Sequence, residues 1–126
     1  MIEEIETLRR VTAFAELTDD ELAEIAYMSC QETHPPGKVL FNEGQPANRL
    51  YILEEGKVTL EMNLQMTPRG ATQVATVEVL NKPDELLGWS TMVEPYIYTM
   101  SAICMQPSRV IAIPGPELRQ ILARCP

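Results

Sequence analysis

The sequence predicts a mainly β fold with flanking helices: a double-stranded β-helix, or jelly-roll, barrel with two short helices before it and one after it. Three observations lead to this fold class. Short apolar segments separated by turn residues fill the middle of the chain, helical spacing of apolar residues marks its beginning, and a proline-led amphipathic segment follows the last strand. The 126 residues fit a single domain, with helices at about 3–28, the barrel at about 31–113 and the last helix at about 116–124.

The N-terminal region predicts two short helices. Ile5, Leu8 and Val11 recur at helical spacing in the first. The second begins with a capping box, in which Thr18 is the N-cap and Glu21 follows three residues later. One face of this second helix is expected to pack against the core, and its residues are Leu22, Ile25, Ala26 and Tyr27.

Strands are predicted after the turn sequence "HPPG" at 34–37, which stops any helix. The predicted strands cover residues 38–41, 48–53, 57–65, 72–79, 98–105 and 108–113. In the third of them, Val58, Leu60, Met62 and Leu64 alternate with polar residues, which predicts one buried face and one wet face. "TPRG" at 67–70 predicts an exposed hairpin loop.

The last helix is marked by Gly115 as N-cap and by Pro116 at the first helical position, where its missing N–H does no harm. Leu118, Ile121 and Leu122 form its apolar stripe.

Charge and hydropathy exclude several function classes. The net charge is −8 and the pI near 4.6, so we expect no nucleic-acid binding through this chain alone, because phosphate contacts need clustered Lys and Arg. The chain has no stretch of 18 apolar residues, so no membrane span is expected. Its acidic N-terminus also lacks the apolar core of a secretion signal. A cytoplasmic location is the resulting expectation.

The sequence contains few of the residue patterns that metal sites, disulfides or catalytic sites require. Cys30, Cys104 and Cys125 are widely spaced, which is typical of reduced thiols, with a redox-sensing Cys104 as the alternative. His34 is the single histidine, whereas metal-dependent barrel enzymes hold their metal with two or three. No P-loop, G-x-S-x-G or nucleophile–base motif is present, so we expect no enzyme and no metal site.

A glycine pattern carries the most specific signal. The stretch "PGKVLFNEGQPANRLYILEEGKV" places Gly37, Gly44 and Gly56 at strand junctions, where a positive φ or a close backbone approach is expected. Together with Leu40, Phe41, Ala47, Leu50, Tyr51, Leu53 and Val58, these glycines resemble the pattern of the cyclic nucleotide-binding domain in the catabolite-activator/FNR (Crp/Fnr) superfamily. The resemblance covers nearly the whole chain and implies this family's barrel fold.

The resemblance also locates a ligand site. In that family a phosphate-binding cassette, roughly F-G-E-x-[AS]-L followed by R-[AST]-A-[ST], holds the ribose with its Glu and the cyclic phosphate with its Arg. Here the corresponding stretch is "LGWSTMVEPYIYTMSA". Trp89 stands at the Glu position, and Tyr98 falls at the Arg position to within one residue. The matched or neighbouring candidates for ligand binding are Leu87, Gly88, Trp89, Ser90, Thr91, Tyr98, Thr99 and Ser101.

These departures change the expected ligand. A charge-assisted hydrogen bond contributes about 1.5–3 kcal/mol, so the loss of both partners lowers affinity by roughly two to four decades. We therefore expect no binding of cyclic AMP or cyclic GMP in the usual way. A smaller, neutral or aromatic ligand stacked on Trp89, Tyr96 or Tyr98 fits the remaining residues better. Trp89 either forms a wall of such a pocket or fills the space that the ligand occupies elsewhere.

The resulting hypothesis is a regulatory ligand-sensing domain that passes its state to a partner or an attached module. Its partner is a small-molecule ligand or another protein, and a homodimer stays an open alternative. The second hypothesis is a protein-interaction domain whose pocket is closed by its own side chains. A metal-dependent enzyme of the cupin type is the third.

Overall fold

A computed structural model describes residues 2–65, 67–68, 70 and 72–124. Helices occupy Ile2–Arg10 (α1), Asp19–Met28 (α2) and Gly115–Ala123 (α3), with short 3-10 helices at Thr12–Phe14 and Trp89–Met92. The strands are Cys30–His34 (β1), Val39–Phe41 (β2), Arg49–Glu55 (β3), Val58–Gln65 (β4), Thr72–Leu80 (β5), Glu85–Leu87 (β6), Ser101–Cys104 (β7) and Ser108–Pro114 (β8). The mainly β prediction with flanking helices is confirmed.

The strands of the described residues hydrogen-bond as two separate four-stranded antiparallel sheets rather than as one closed barrel. The first sheet has the order β1-β8-β3-β6, and the second has the order β2-β7-β4-β5. The two sheets face each other as in a jelly roll. Strands β3 and β8 lie in the interior of the first sheet and are therefore paired along both edges.

The first sheet forms the middle layer of the molecule. Its alternating side chains enter two apolar clusters, one on each face. Leu50 and Ile52 of β3 pack with the helices, whereas Tyr51 and Leu53 pack between the two sheets. Because both faces of β3 are covered, its sequence "LYIL" is continuously apolar instead of alternating.

The N-terminal helices follow the sequence closely. Thr18 accepts a hydrogen bond from the Glu21 N–H, and the Glu21 side chain accepts one from the Thr18 N–H, which confirms the capping box. Leu22, Ile25 and Ala26 are buried as expected. Tyr27 is 81% exposed, so its prediction as a packed residue was wrong; it follows Ala26 by one position and therefore points away from the core.

Several predicted boundaries need correction. The strand Cys30–His34 was missed because its largely polar sequence shows no alternation, and Glu85–Leu87 was missed because three residues are too few for a periodic pattern. The strand predicted at 98–105 is shorter and covers Ser101–Cys104. The N-cap of α3 is Pro114, and Gly115 already lies inside the helix. Leu64 is 41% exposed, because the outer end of β4 extends beyond the core and a β-bulge interrupts its register after Leu60.

The predicted loop at 67–70 connects β4 and β5, and the Gly70 N–H donates to the Thr67 carbonyl. Arg69 of this predicted loop and Cys125, one of the three cysteines, lie outside the described residues.

Candidate functional site

Three glycines of the sequence pattern, Gly37, Gly44 and Gly56, form what we call the glycine frame, and one of them positions the backbone of the site. Gly37, Gly44 and Gly56 have φ values of 88°, 88° and 120°, as the pattern predicts. Gly44 donates its N–H to the Tyr98 carbonyl, and the Tyr98 N–H donates to the Gln45 carbonyl. The turn between β2 and β3 therefore fixes the backbone of the cassette at Tyr98.

Gly88 opens the cassette directly after β6. Its φ is 84°, and a Cβ there would lie 3.0 Å from the Arg49 carbonyl oxygen and 3.4–3.5 Å from the rings of Tyr98 and Phe41. The left-handed backbone and the crowded surroundings both favour glycine. The chain turns here into the 3-10 helix Trp89–Met92.

Tyr98 is a buried side chain with a complete set of internal contacts. Its ring stacks on Phe41 with centroids 3.9 Å apart and planes inclined by 12°. Its phenol donates to the Arg49 carbonyl at 2.6 Å and accepts from the Arg49 N–H at 3.2 Å. Burial raises the pKa of the Tyr98 phenol above its ordinary value of 10, so the group is neutral at physiological pH. The phenol at the residue predicted for the arginine position is therefore neutral and internally bonded.

A cavity of about 280 Å³ lies beside this tyrosine. It is lined by Phe41, Leu60, Gly88, Trp89, Ser90, Val93, Tyr98, Thr99 and Met100. Five predicted site residues are therefore brought together, and none of the lining residues carries a charge. Trp89 is 43% exposed, so its indole forms part of the cavity wall and leaves the space open.

Three predicted site residues lie elsewhere. Leu87 is buried in the core between the sheets. Thr91 is fully buried, and its hydroxyl donates to the Gly88 carbonyl at 3.0 Å. The Ser101 hydroxyl accepts from the Glu43 N–H at 2.9 Å and faces a different depression. These side chains shape the backbone around the cavity but do not line it.

Four lining residues were missing from the predicted site: Phe41, Leu60, Val93 and Met100. Phe41 and Leu60 come from the second sheet, far from the cassette in sequence, and only the fold brings them there. Phe41 was assigned to the fold pattern and Leu60 to the buried face of its strand. Val93 and Met100 lie within the cassette, so the sequence could have suggested them as apolar neighbours of the predicted residues.

The Arg49 guanidinium is engaged outside the cavity lining. The Arg49 guanidinium binds Glu32 at 2.6 Å, across β8. Glu32 also contacts His34 at 2.9 Å. Burial opposes the ionisation of Glu32, but the hydrogen bonds from Arg49 and His34 outweigh it and hold the pKa of this carboxyl below its ordinary value. Arg49 therefore contributes only its backbone to the site, through Tyr98.

The cassette also contacts α3. Arg119 donates a hydrogen bond to the Thr91 carbonyl, and its guanidinium lies 3.9 Å above the ring of Tyr96. Such a cation–π contact adds to the hydrogen bond. One side chain of α3 thereby holds both the 3-10 helix and the loop that follows it.

The remaining chemistry of the described residues is sparse. They contain no group of three or more His, Cys, Asp or Glu side chains that could hold a metal ion. Cys30 and Cys104 are free thiols, and burial raises the pKa of Cys104, which keeps it protonated. Within the described part of the chain, no helix is both long and apolar enough to cross a membrane.

Fold and cassette together define a jelly-roll domain of the cyclic nucleotide-binding-like class, with a glycine-led segment between β6 and β7. The chain belongs to the cyclic nucleotide-binding domain family, whose family model matches residues 31–125. Regulators of the Crp/Fnr type are among its relatives and structural neighbours, as the glycine pattern indicated.

Two relatives illustrate this membership, and a third structure shares the fold. A CRP-like cAMP-activated global transcriptional regulator of Mycobacterium tuberculosis is 26% identical over 96% of this chain, and the chain spans 51% of that regulator. The N-terminal domain of a transcriptional regulator from Streptomyces coelicolor is 31% identical, with 95% and 80% of the two chains covered and a TM-score of 0.74. The regulatory domain of Toxoplasma gondii PKA, solved with cAMP, is 14% identical over 96% of this chain and 44% of its own, and its TM-score of 0.83 shows the shared fold.

Proposed function

We propose that this chain is a regulatory sensor domain whose cassette binds a small uncharged ligand instead of a cyclic nucleotide. The observation that carries the proposal is the uncharged lining of the cavity, which includes the Tyr98 phenol bonded to the Arg49 backbone. An anionic phosphate in the neighbouring cavity would find no cationic side chain among its lining residues. It would lose its hydration without a charge-assisted partner, which disfavours binding.

The cavity suits a flat, neutral molecule. Phe41, Leu60, Val93 and Met100 supply apolar surface, and Trp89 offers a half-exposed ring for stacking. The hydroxyls of Ser90 and Thr99 provide the polar contacts that orient a ligand. A volume of about 280 Å³ limits the ligand to roughly the size of one or two fused rings.

The signal would leave through α3. Arg119 binds Thr91 and Tyr96, which lie on either side of the cavity residue Val93 in the sequence. A ligand that displaces the 3-10 helix must strain or break these contacts, and α3 would respond. Output to DNA would pass through another module or a partner protein, since a net charge of −8 disfavours phosphate contacts by this chain.

Calorimetry tests the ligand class. Titration with cyclic AMP and cyclic GMP should give no binding in the micromolar range, and micromolar binding of either would overturn the proposal. Adenosine and indole serve as uncharged probes. We expect them to shift the NMR signal of the Met100 methyl group, which lines the cavity, while the exposed Met105 methyl group serves as the internal control.

A second candidate function is a protein-interaction domain with a closed pocket. It is favoured by the stacked rings of Phe41 and Tyr98, which occupy part of the space beside Gly88. The cavity also lies just below the range of about 300–1,000 Å³ that is usual for ligand pockets. If neither the cyclic nucleotides nor the uncharged probes move the Met100 signal at millimolar concentration, this second function is the better account.

A further inference from the structure

A groove between α2 and α3 lies apart from the cassette cavity. Its volume is about 510 Å³. It is lined by Asp20, Ala23, Glu24, Tyr27, Met28, Glu117, Gln120, Ile121 and Arg124. Residues of both helices line it, and we call it the α2–α3 groove.

The floor of the α2–α3 groove is apolar. Ile121 is 4% exposed, and Ala23 and Met28 are half-buried. Tyr27 stands at its edge with 81% of its surface in water. An aromatic ring beside an apolar floor is typical of recognition surfaces, because it offers a large contact area at a small cost in conformational entropy.

The rim of the groove is acidic. Asp20, Glu24 and Glu117 are exposed there, and among the described lining residues Arg124 is the cation. Arg124 is already bound to Glu24 at 3.1 Å, which leaves Asp20 and Glu117 to set the sign of the surface. A partner for this surface must therefore combine apolar side chains with positive charge.

We propose that the α2–α3 groove binds a basic amphipathic helix of a partner protein. An apolar stripe at positions i, i+3, i+4 and i+7 would lie on Ile121, Met28 and the ring of Tyr27. Lys or Arg residues beside that stripe would face Asp20 and Glu117. The ten residues of α2 span about 15 Å, which matches roughly three turns of a partner helix. This interface stands whether or not the cassette binds a ligand.

The probe is a fluorescein-labelled synthetic peptide of about 14 residues, long enough for partial helicity, with Leu at the stripe positions and Lys elsewhere. A matched peptide carries Glu in place of every Lys. Fluorescence anisotropy with the full chain should show binding of the Lys peptide and at least about tenfold weaker binding of the Glu peptide. Equal binding of the two peptides would overturn the proposal.

Two charge-matched variants separate the groove from the general acidity of the chain. Glu117→Lys and Glu78→Lys change the net charge equally, but Glu78 is exposed on β5, outside the groove. We expect Glu117→Lys to lower the affinity for the Lys peptide by about fivefold or more. Glu78→Lys should change that affinity less than about twofold. Equal losses would show unspecific attraction and would overturn the proposal.

Tyr27→Ser tests the apolar part of the surface. Because the ring is 81% exposed, its removal leaves the fold intact, which thermal unfolding would verify. We expect the variant to bind the Lys peptide several-fold more weakly than the parent chain. An unchanged affinity, with unchanged thermal unfolding, would mean that the peptide binds elsewhere.

Discussion

Tyr98 joins the core and the site in one side chain. Its ring completes the stack with Phe41, and its hydroxyl bridges the N–H and the carbonyl of Arg49. This side chain thereby holds β3 against the cassette. That Tyr98 stands at the arginine position of the family pattern stays a prediction.

Tyr98→Phe tests this structural role. The substitution keeps the ring and removes both hydrogen bonds, so we expect the free energy of unfolding in urea to fall by about 1–3 kcal/mol. Tyr27→Phe removes the hydroxyl of an exposed tyrosine and should stay within about 0.5 kcal/mol of the parent chain. Equal effects of the two variants would argue against a stabilising role of the Tyr98 hydroxyl.

Gly56 is the most constrained glycine of the frame. A Cβ there would meet the Ser108 hydroxyl and lie 2.6 Å from the Ser108 Cα, which belongs to the backbone of β8. We expect Gly56→Ala to lower the free energy of unfolding by more than about 3 kcal/mol, since steric overlap adds to the strain of a positive φ. Gly37→Ala is the control, because its φ of 88° is strained as well but its Cβ meets open space; it should cost only about 1–2 kcal/mol.

At the scale of elements, an ion pair connects two strands that are not neighbours. Glu32 of β1 and Arg49 of β3 bind across the intervening β8, and His34 adds a second contact to the same carboxyl. The first sheet is thereby tied together on the face that it shares with Tyr51 and Val110, which looks toward the second sheet. The lowered pKa of Glu32 makes this contact sensitive to acid.

The sign of the pH effect follows from that shift. A carboxyl whose pKa is lower in the folded state stabilises the fold above its ordinary value, near 4.5, and loses this contribution as the pH falls through the folded-state value. We expect the parent chain to lose more stability than Glu32→Gln when the pH is lowered below about 4.5. Urea unfolding at a series of pH values measures the difference. Glu78→Gln, at an exposed position on β5, should follow the parent chain; if Glu32→Gln follows it too, the ion pair does not stabilise the fold.

At the scale of the whole molecule, the first sheet couples the helices to the second sheet. Leu50 enters the cluster under the helices and Leu53 enters the cluster between the sheets, although only two residues separate them. Both side chains are completely buried. Neither apolar cluster can be exposed without disturbing the strand that forms part of the other.

This coupling predicts a single unfolding transition. Leu50→Ala and Leu53→Ala should each lower the free energy of unfolding by about 2–5 kcal/mol. In both variants the far-ultraviolet circular dichroism and the fluorescence of Trp89, the single tryptophan, should change at the same urea concentration. If Leu50→Ala melted the helices while the Trp89 signal stayed native, the layers would be independent.

Much of the fold could be predicted from local sequence. The capping box at Thr18 and Glu21 and the positive φ of Gly37, Gly44 and Gly56 follow from residue types at fixed spacing, and the structure confirms them. Strand β1 was missed because its sequence "CQETH" has no apolar alternation. It is a strand because its backbone pairs with β8, and a partner far along the chain leaves no mark in a local pattern.

The sequence by itself determined the mainly β class and the glycine frame, because these depend on backbone conformation and on periodicity, which short segments encode. The resemblance to the family pattern predicted the place of the cassette and assigned Trp89 and Tyr98 to its two charged positions. Only the tertiary structure decided what the two residues do. Trp89 lines an open cavity, whereas Tyr98 is bonded to Arg49 and stacked on Phe41. The physical reason is that these partners come from β2 and β3, and contacts between distant strands exist only once both sheets have formed.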